Sequence, residues 1–338
     1  MLENDIYYLI DYANLYLKSD EEIFDFEYIQ GGKILKNIAI KRPIPQFGTI
    51  KCNEEFYDLE SPYGYGGFWS NTQDADFIGQ ALKEYEKKCE QNRIVAEFYR
   101  FNPFNDFPLN FGQYFDFLIR DRETVYVQLD KPYETIYKEY HPSLRRNLRK
   151  AEKNNLHFSM LNPTLDNIRY FQELYYKTMK KNRAESFYFF PKTYFENLFK
   201  LKNAKLFGIL YEDKIINMVV VLESAPICYY HLGASIPEYY ALNGNPFLFD
   251  QLIQYYRSRF SIFYLGGGAT SAENDSLLRF KRKFSPTTKP FYIAGKIFNK
   301  EKYQEFVKMA EKKCPDLKSI KYFLKYRLCQ NNEPEEKI

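Results

Sequence analysis

From Leu156 to Ile297 the chain carries ten secondary-structure signals in one order, and that order constrains the fold more than any single residue does. The apolar run Leu156–Met160 reads as a strand. Asn162-Pro163-Thr164 is a cap-like helix start, with the helix closing near Asn182, and Pro191 opens a second helix to about Leu201. Three strands follow, Ala204–Tyr211, Ile215–Leu222 and Ile227–Leu232, the first two joined by the turn Glu212-Asp213-Lys214. Asn245-Pro246 starts a helix to about Phe260. Strand Ser261–Leu265 then ends in Gly266-Gly267-Gly268, a short helix spans Asp275–Lys283, and Phe291–Ile297 is a last strand. The order β-α-α-β-β-β-α-β-α-β predicts an α/β (α+β) chain built on mixed sheets flanked by helices.

The N-terminal part predicts a hairpin from Glu22–Ile29 to Lys33–Ile40, turned by Gln30-Gly31-Gly32, because a tight turn needs positive φ. A helix from about Asp74 to Gln91 places Phe77, Ile78, Ala81, Leu82 and Tyr85 on one face. Strands follow at Ile94–Phe101 and Thr124–Leu129, and a basic helix runs from Pro142 to Asn154 with Leu144, Leu148 and Ala151 inward. A length of 338 residues suggests two domains. The boundary is read at Asp130-Lys131-Pro132, giving residues 1–130, 131–300 and a C-terminal helix and polar tail over 301–338.

Composition excludes several classes. Hydrophobic residues at 45% and charged residues at 27% fit a packed globular chain, and a net charge of +4 is too small to predict nucleic-acid binding. Apolar runs such as Met218–Leu222 are far shorter than a membrane span, and the acidic start Met1-Leu2-Glu3-Asn4-Asp5 is no secretion signal, so a cytoplasmic protein is expected. Five scattered cysteines (Cys52, Cys89, Cys228, Cys314, Cys329) read as reduced thiols, and three isolated histidines predict no metal site. The 32 Tyr and 31 Phe predict a Tyr-rich core and cleft.

The run Tyr264-Leu265-Gly266-Gly267-Gly268 followed by Asp275-Ser276-Leu277-Leu278-Arg279-Phe280-Lys281 is the strongest chemical signal. Glycines at a strand end let a ligand or backbone approach closely. Asp275 is placed to cap the next helix, and Lys281 to meet a phosphate or a developing oxyanion. A plain turn, cap and solvated lysine is the competing reading.

That run resembles the signature of the FemABX (Fem family) peptidyltransferases: a strand, "LGG", a variable stretch and "D-x-L-x-x-F-K". Ser143–Ala151 resembles the basic helix that opens the family's second domain. Asp58–Gly67 and Arg100-Phe101-Asn102-Pro103 resemble its first-domain motifs, and the element order resembles the GNAT acyltransferase fold. The resemblance spans roughly Ile23 to Phe306 and implies two tandem GNAT-like domains with a cleft between them, transferring an acyl group to an amine. Two departures are visible. Asn102 stands where cross-bridge-building members often carry an acid, and the long helical arm of some members is missing. On this basis the expected activity is N-acyl transfer from acyl-CoA, with no metal, to the amine of a nucleotide-linked amino sugar for surface polysaccharide. Aminoacyl transfer from tRNA to a peptidoglycan or other cell-wall precursor is the alternative, and a catalytically inactive scaffold a third reading.

Site residues follow from the same frame. His231, at the end of the third strand, is a candidate base or a satisfied core histidine; Tyr264 and Tyr230 are candidate proton donors; Asp275 and Lys281 complete the catalytic set. The donor is expected along Gly233-Ala234, at the helix start Asn245, and at Gly266 and Gly267, although the usual Gly-rich acyl-CoA phosphate loop is absent. Arg145 and Arg149, four apart, suit a diphosphate, with Arg183 a weaker partner; Tyr63 and Tyr65 suit stacking on a base or sugar.

Overall fold

The computed structural model describes residues 2–44 and 55–329. Contacts divide the chain into two compact units. One comprises Tyr7–Arg120 and the chain from Tyr292 onward (with Leu2), the other Asp121–Phe291 with Glu3–Ile6.

In the first unit a short helix α1 (Ile10–Ala13) precedes β1 (Glu22–Gln30) and β2 (Lys33–Pro43). These pair as an antiparallel hairpin in which Gly31 and Gly32 take φ of +58° and +77°, the left-handed values that suit glycine. β3 (Tyr57–Glu60) runs antiparallel to β2, and β4 (Trp69–Ser70) also pairs with β2. α2 (Ala75–Gln91) is capped by the Asp74 carboxylate, which accepts from the N–H groups of Asp76 and Phe77. It buries Phe77, Ile78, Ala81, Leu82, Tyr85 and Cys89, the face its apolar spacing predicts. β5 (Ile94–Arg100) then lies parallel to β3, and α3 (Phe107–Asn110) follows.

The chain passes between units within β6 (Phe117–Gln128). The second unit continues with α4 (Tyr133–Glu139), α5 (Pro142–Glu152), β7 (His157–Leu161), α6 (Leu165–Lys181), α7 (Lys192–Leu198), β8 (Ala204–Tyr211), β9 (Lys214–Ser224), β10 (Ile227–Ser235), α8 (Gly244–Tyr256), β11 (Ile262–Gly267) and α9 (Ser276–Lys281). Its sheet runs β6-β11-β10-β9-β8-β7, with β10 and β11 parallel across the α8 crossover and the other neighbours in this order antiparallel. α5, α8 and α9 pack Leu144, Leu148, Leu248, Phe249, Leu252 and Leu278 into one core on this sheet. β12 (Thr288–Ile297) returns to pair antiparallel with β5 from Ile293 to Ile297, and α10 (Lys300–Lys313) packs on the same unit. Each unit therefore repeats one plan: an antiparallel strand pair whose second strand crosses through a helix to a parallel strand.

Several expectations shift. The break between the two units lies at Arg120/Asp121, ten residues before the Asp130/Lys131 boundary read from the sequence, and Thr124–Gln128 of β6 pairs with β11 of the second unit. The C-terminal helix is no separate segment: Phe306, Ala310, Leu317, Leu324 and Tyr326 share a core with Val95 and Phe98. Cys314 and Cys329, read as reduced, form a disulfide. The end of α10 and the turn after it bring their Cα atoms within 6.0 Å, a proximity that scattered sequence positions conceal. Cys89 and Cys228 are buried free thiols, while Cys52 and the polar tail Glu333–Ile338 lie outside the described residues.

Candidate active site

The site begins where two parallel strands part. β10 and β11 pair from Ile227–Ile262 to Tyr229–Tyr264, and no pairing follows. Just past that point the register of β10 against β9 is irregular between Tyr230 and Leu232, and that of β11 against β6 between Tyr264 and Gly266. Such bulges bend a strand and re-aim its side chains. The glycine run is consequently part strand: Gly266 (φ +80°) and Gly267 close β11, and only Gly268 lies beyond it.

Each glycine is packed against something. A Cβ on Gly267 would lie 3.0 Å from Arg122 Cδ, and one on Gly268 2.5 Å from Asp275 Oδ1. Arg122 Nη1 donates to the Gly268 carbonyl at 3.2 Å. Asp275 caps α9, accepting from Leu278 N at 2.9 Å and from Thr270 N and Oγ1 at 3.1 Å each. Partial burial raises the Asp275 carboxyl, but the N–H groups of Leu278, Thr270 and Ala269 outweigh it and hold it below its ordinary value.

Lys281 does not project into solvent. It is 4% exposed, and its ammonium folds back from the last turn of α9 to donate to the Gly267 carbonyl at 2.7 Å. Nζ also lies 5.4 Å from the centre of the Tyr230 ring, and a Cβ on Gly266 would crowd it at 3.3 Å. The amine therefore lies beside both β10 and β11, just past the end of their pairing. Burial pushes its pKa down to about 7, with Asp275 acting upward and Arg122 downward. A lysine so poised is a strong donor when charged and changes state near neutrality. Tyr230 packs on Phe249 at 4.9 Å, and burial raises its phenol to about 12, so it stays protonated.

The other sequence candidates sit elsewhere. His231, next to Tyr230 on β10, pairs its Nε2 with Tyr194 Oη of α7 at 2.7 Å, while Tyr230 packs on α8. Burial drives the imidazole down to about 3, so it is neutral across the physiological range. Tyr264 is 1% exposed and packs edge-on to Tyr229 at 5.6 Å. Gly233 backs onto Tyr230 Oη, and Ala234 is buried. α8 starts at Gly244 after a left-handed Asn243, one residue before Asn245. A Cβ on Gly244 would strike Asn217 Oδ1 at 2.1 Å, and Asn217 in turn donates to Ser235 Oγ at 2.6 Å.

Arg145 and Arg149 lie on α5, where Arg145 donates to the Lys138 carbonyl at 3.0 Å, and Arg183 takes a left-handed turn position (φ +51°) after α6. In the first unit Tyr63 packs near Tyr16 (5.7 Å) and Tyr65 edge-on to Tyr7 (5.1 Å), both half-buried. Sequence reading missed Arg122, Thr270, Tyr194 and Asn217. Only Asn217 had a legible signal, as the one amide inside the apolar run Ile215–Leu222.

The arrangement is a buried cation just past the point where the pairing of two parallel strands of the second unit ends. No family model matches the sequence, and no curated protein does. Among solved structures the chain is similar to FemX, with 13% identity, 89% of this chain and 94% of that chain covered, and a TM-score of 0.69. It is also similar to L-PGS from Bacillus licheniformis (14% identity, 87% and 89% covered, TM-score 0.56). The C-terminal domain of a putative lysylphosphatidylglycerol synthetase from Agrobacterium fabrum aligns at 15% identity, 86% and 88% covered, TM-score 0.53. The fold is thus similar to that of FemX. Among the described residues no helix is long and apolar enough to cross a membrane, and no side-chain cluster is suited to a metal.

Proposed function

We propose that the protein is an aminoacyltransferase that moves an aminoacyl group from the ester of a charged tRNA to an amine on a cell-wall or nucleotide-linked precursor. The observation that carries this reading is Lys281. Its buried ammonium lies just past the end of the β10–β11 pairing, the place where a GNAT-like domain would lay the pantetheine arm of acyl-CoA, and the sequence carries no Gly-rich phosphate loop of the kind such a donor uses. The acyl-CoA donor expected from sequence is therefore the less favoured one.

In this reading the acceptor nitrogen attacks the ester carbonyl, the carbon–oxygen bond to the ribose breaks, and the amine's proton ends on the leaving hydroxyl. Charged Lys281 donates to the developing oxyanion, aimed by Gly267. Tyr230, kept protonated, is the candidate relay to the leaving oxygen. His231, neutral and paired with Tyr194, is assigned no proton transfer. Transfer from charged tRNA that ribonuclease abolishes, and that Lys281→Ala lowers about 100- to 1,000-fold in kcat, is the expected result. Undiminished transfer from acyl-CoA in an RNA-free mixture overturns it.

A further inference from the structure

The outer face of α5 is cationic without a partner in the fold. The helix buries Leu144, Leu148 and Ala151, and its opposite stripe carries Arg146, Arg149, Lys150 and Lys153 at i, i+3, i+4 and i+7. Among the described residues none of the four forms an ion pair, and Glu152 is the only acid on the helix. Helix energetics account for them only in part. The C-terminal end of the helix dipole favours Arg149 and Lys150 in the last turn and Lys153 at the cap, but like charges three and four apart repel one another, and Arg146 stands nearer the start of the helix. Four exposed cations on one stripe with no ion-pair partner in the fold suit an anion from outside.

The stripe has defined ends. His141 N donates to the Lys283 carbonyl at 2.9 Å, which sets the start of α5 against the end of α9, where Arg279 and Arg282 are exposed. Asn154 Nδ2 donates to the Leu242 carbonyl at 3.2 Å, which sets the far end beside the residues that lead into α8. The cations thus run from the helix that carries Lys281 toward the start of α8. From Arg146 to Lys153 they span about 10 Å, room for about three successive phosphates of one strand. A lipid surface is the poorer match, because an interfacial helix needs large apolar side chains to insert and α5 exposes none.

We propose that this stripe of α5, continued by Arg279 and Arg282, is the docking surface for the phosphodiester backbone of the RNA donor. It rests on the donor reading above and adds where that RNA lies. The test is fluorescence anisotropy with deacylated tRNA over a salt series. Arg146→Gln, Arg149→Gln, Lys150→Gln and Lys153→Gln are combined in one variant. A control combines Lys83→Gln, Lys202→Gln, Lys312→Gln and Lys318→Gln, with the same change in net charge. The stripe variant is expected to bind at least about tenfold more weakly, with its log–log salt slope flatter by about 3, while the control matches the parent. Should the fourfold variant fail to fold by circular dichroism, Arg146→Gln and Lys153→Gln singly should each flatten the slope by about 0.7.

Equal RNA binding by stripe variant and control overturns the docking surface and leaves the tRNA donor standing. So does loss of binding only to phosphatidylcholine/phosphatidylglycerol vesicles. A parent protein that binds no tRNA and transfers from acyl-CoA removes the donor reading itself, and the docking surface with it.

Discussion

Replacing Lys281 by methionine should stabilise the protein while abolishing its activity, and the stabilisation should depend on pH. Holding a lysine at about 7 instead of its ordinary 10.5 penalises the charged folded form by about 5 kcal/mol at about 1.4 kcal/mol per pH unit. Met fills similar space without charge, but the Gly267 carbonyl loses its 2.7 Å donor, a loss of about 1–3 kcal/mol. The net gain at pH 6 is therefore about 2–4 kcal/mol. Because the folded pKa lies below the unfolded one, the unfolded chain binds more protons between about pH 7 and 10.5, and the parent gains stability as pH rises through that window. The advantage of Met should accordingly shrink to about zero near pH 9.5. Urea unfolding of both proteins at pH 6, 8 and 9.5 measures it. A Met variant less stable than the parent at pH 6, or an offset that ignores pH, would refute the buried-cation account.

Three further outcomes follow from the same geometry. If charged Lys281 is the oxyanion donor, kcat should fall as pH rises through about 7, and Lys281→Arg, which stays charged, should move that limb upward; a pH–rate profile decides it. Gly268→Ala would drive a methyl group into Asp275 and displace the α9 cap, lowering stability in urea by about 1–2 kcal/mol; an unchanged midpoint would show the corner to be slack. Cys314→Ser should cost about 3 kcal/mol, the value for a closed loop of about 15 residues, with dithiothreitol lowering the parent's Tm and leaving the variant's unchanged.

Much of the fold was legible because it is written in local patterns. The hairpin at Gly31-Gly32, the Asp74 cap and the apolar face of α2, and the ten-element order from β7 to β12 all stand as their spacing predicts. The Asp275 cap was legible for the same reason, being a contact three residues long. What spacing cannot encode is pairing between distant segments. The disulfide joins residues whose proximity depends on how α10 turns back, and β12 follows the second unit in sequence yet completes the first.

By itself, then, the sequence determined the elements, their caps and the position of a lysine one short helix beyond three glycines. Only the tertiary structure decided that this lysine is buried beside β10 and β11, just past the end of their pairing, its charge opposed by desolvation and steadied by one carbonyl. A pKa reflects everything within a few ångströms in three dimensions, and the groups around Lys281 come from β6, β10, β11 and the cap of α9, up to about 160 residues apart in the chain.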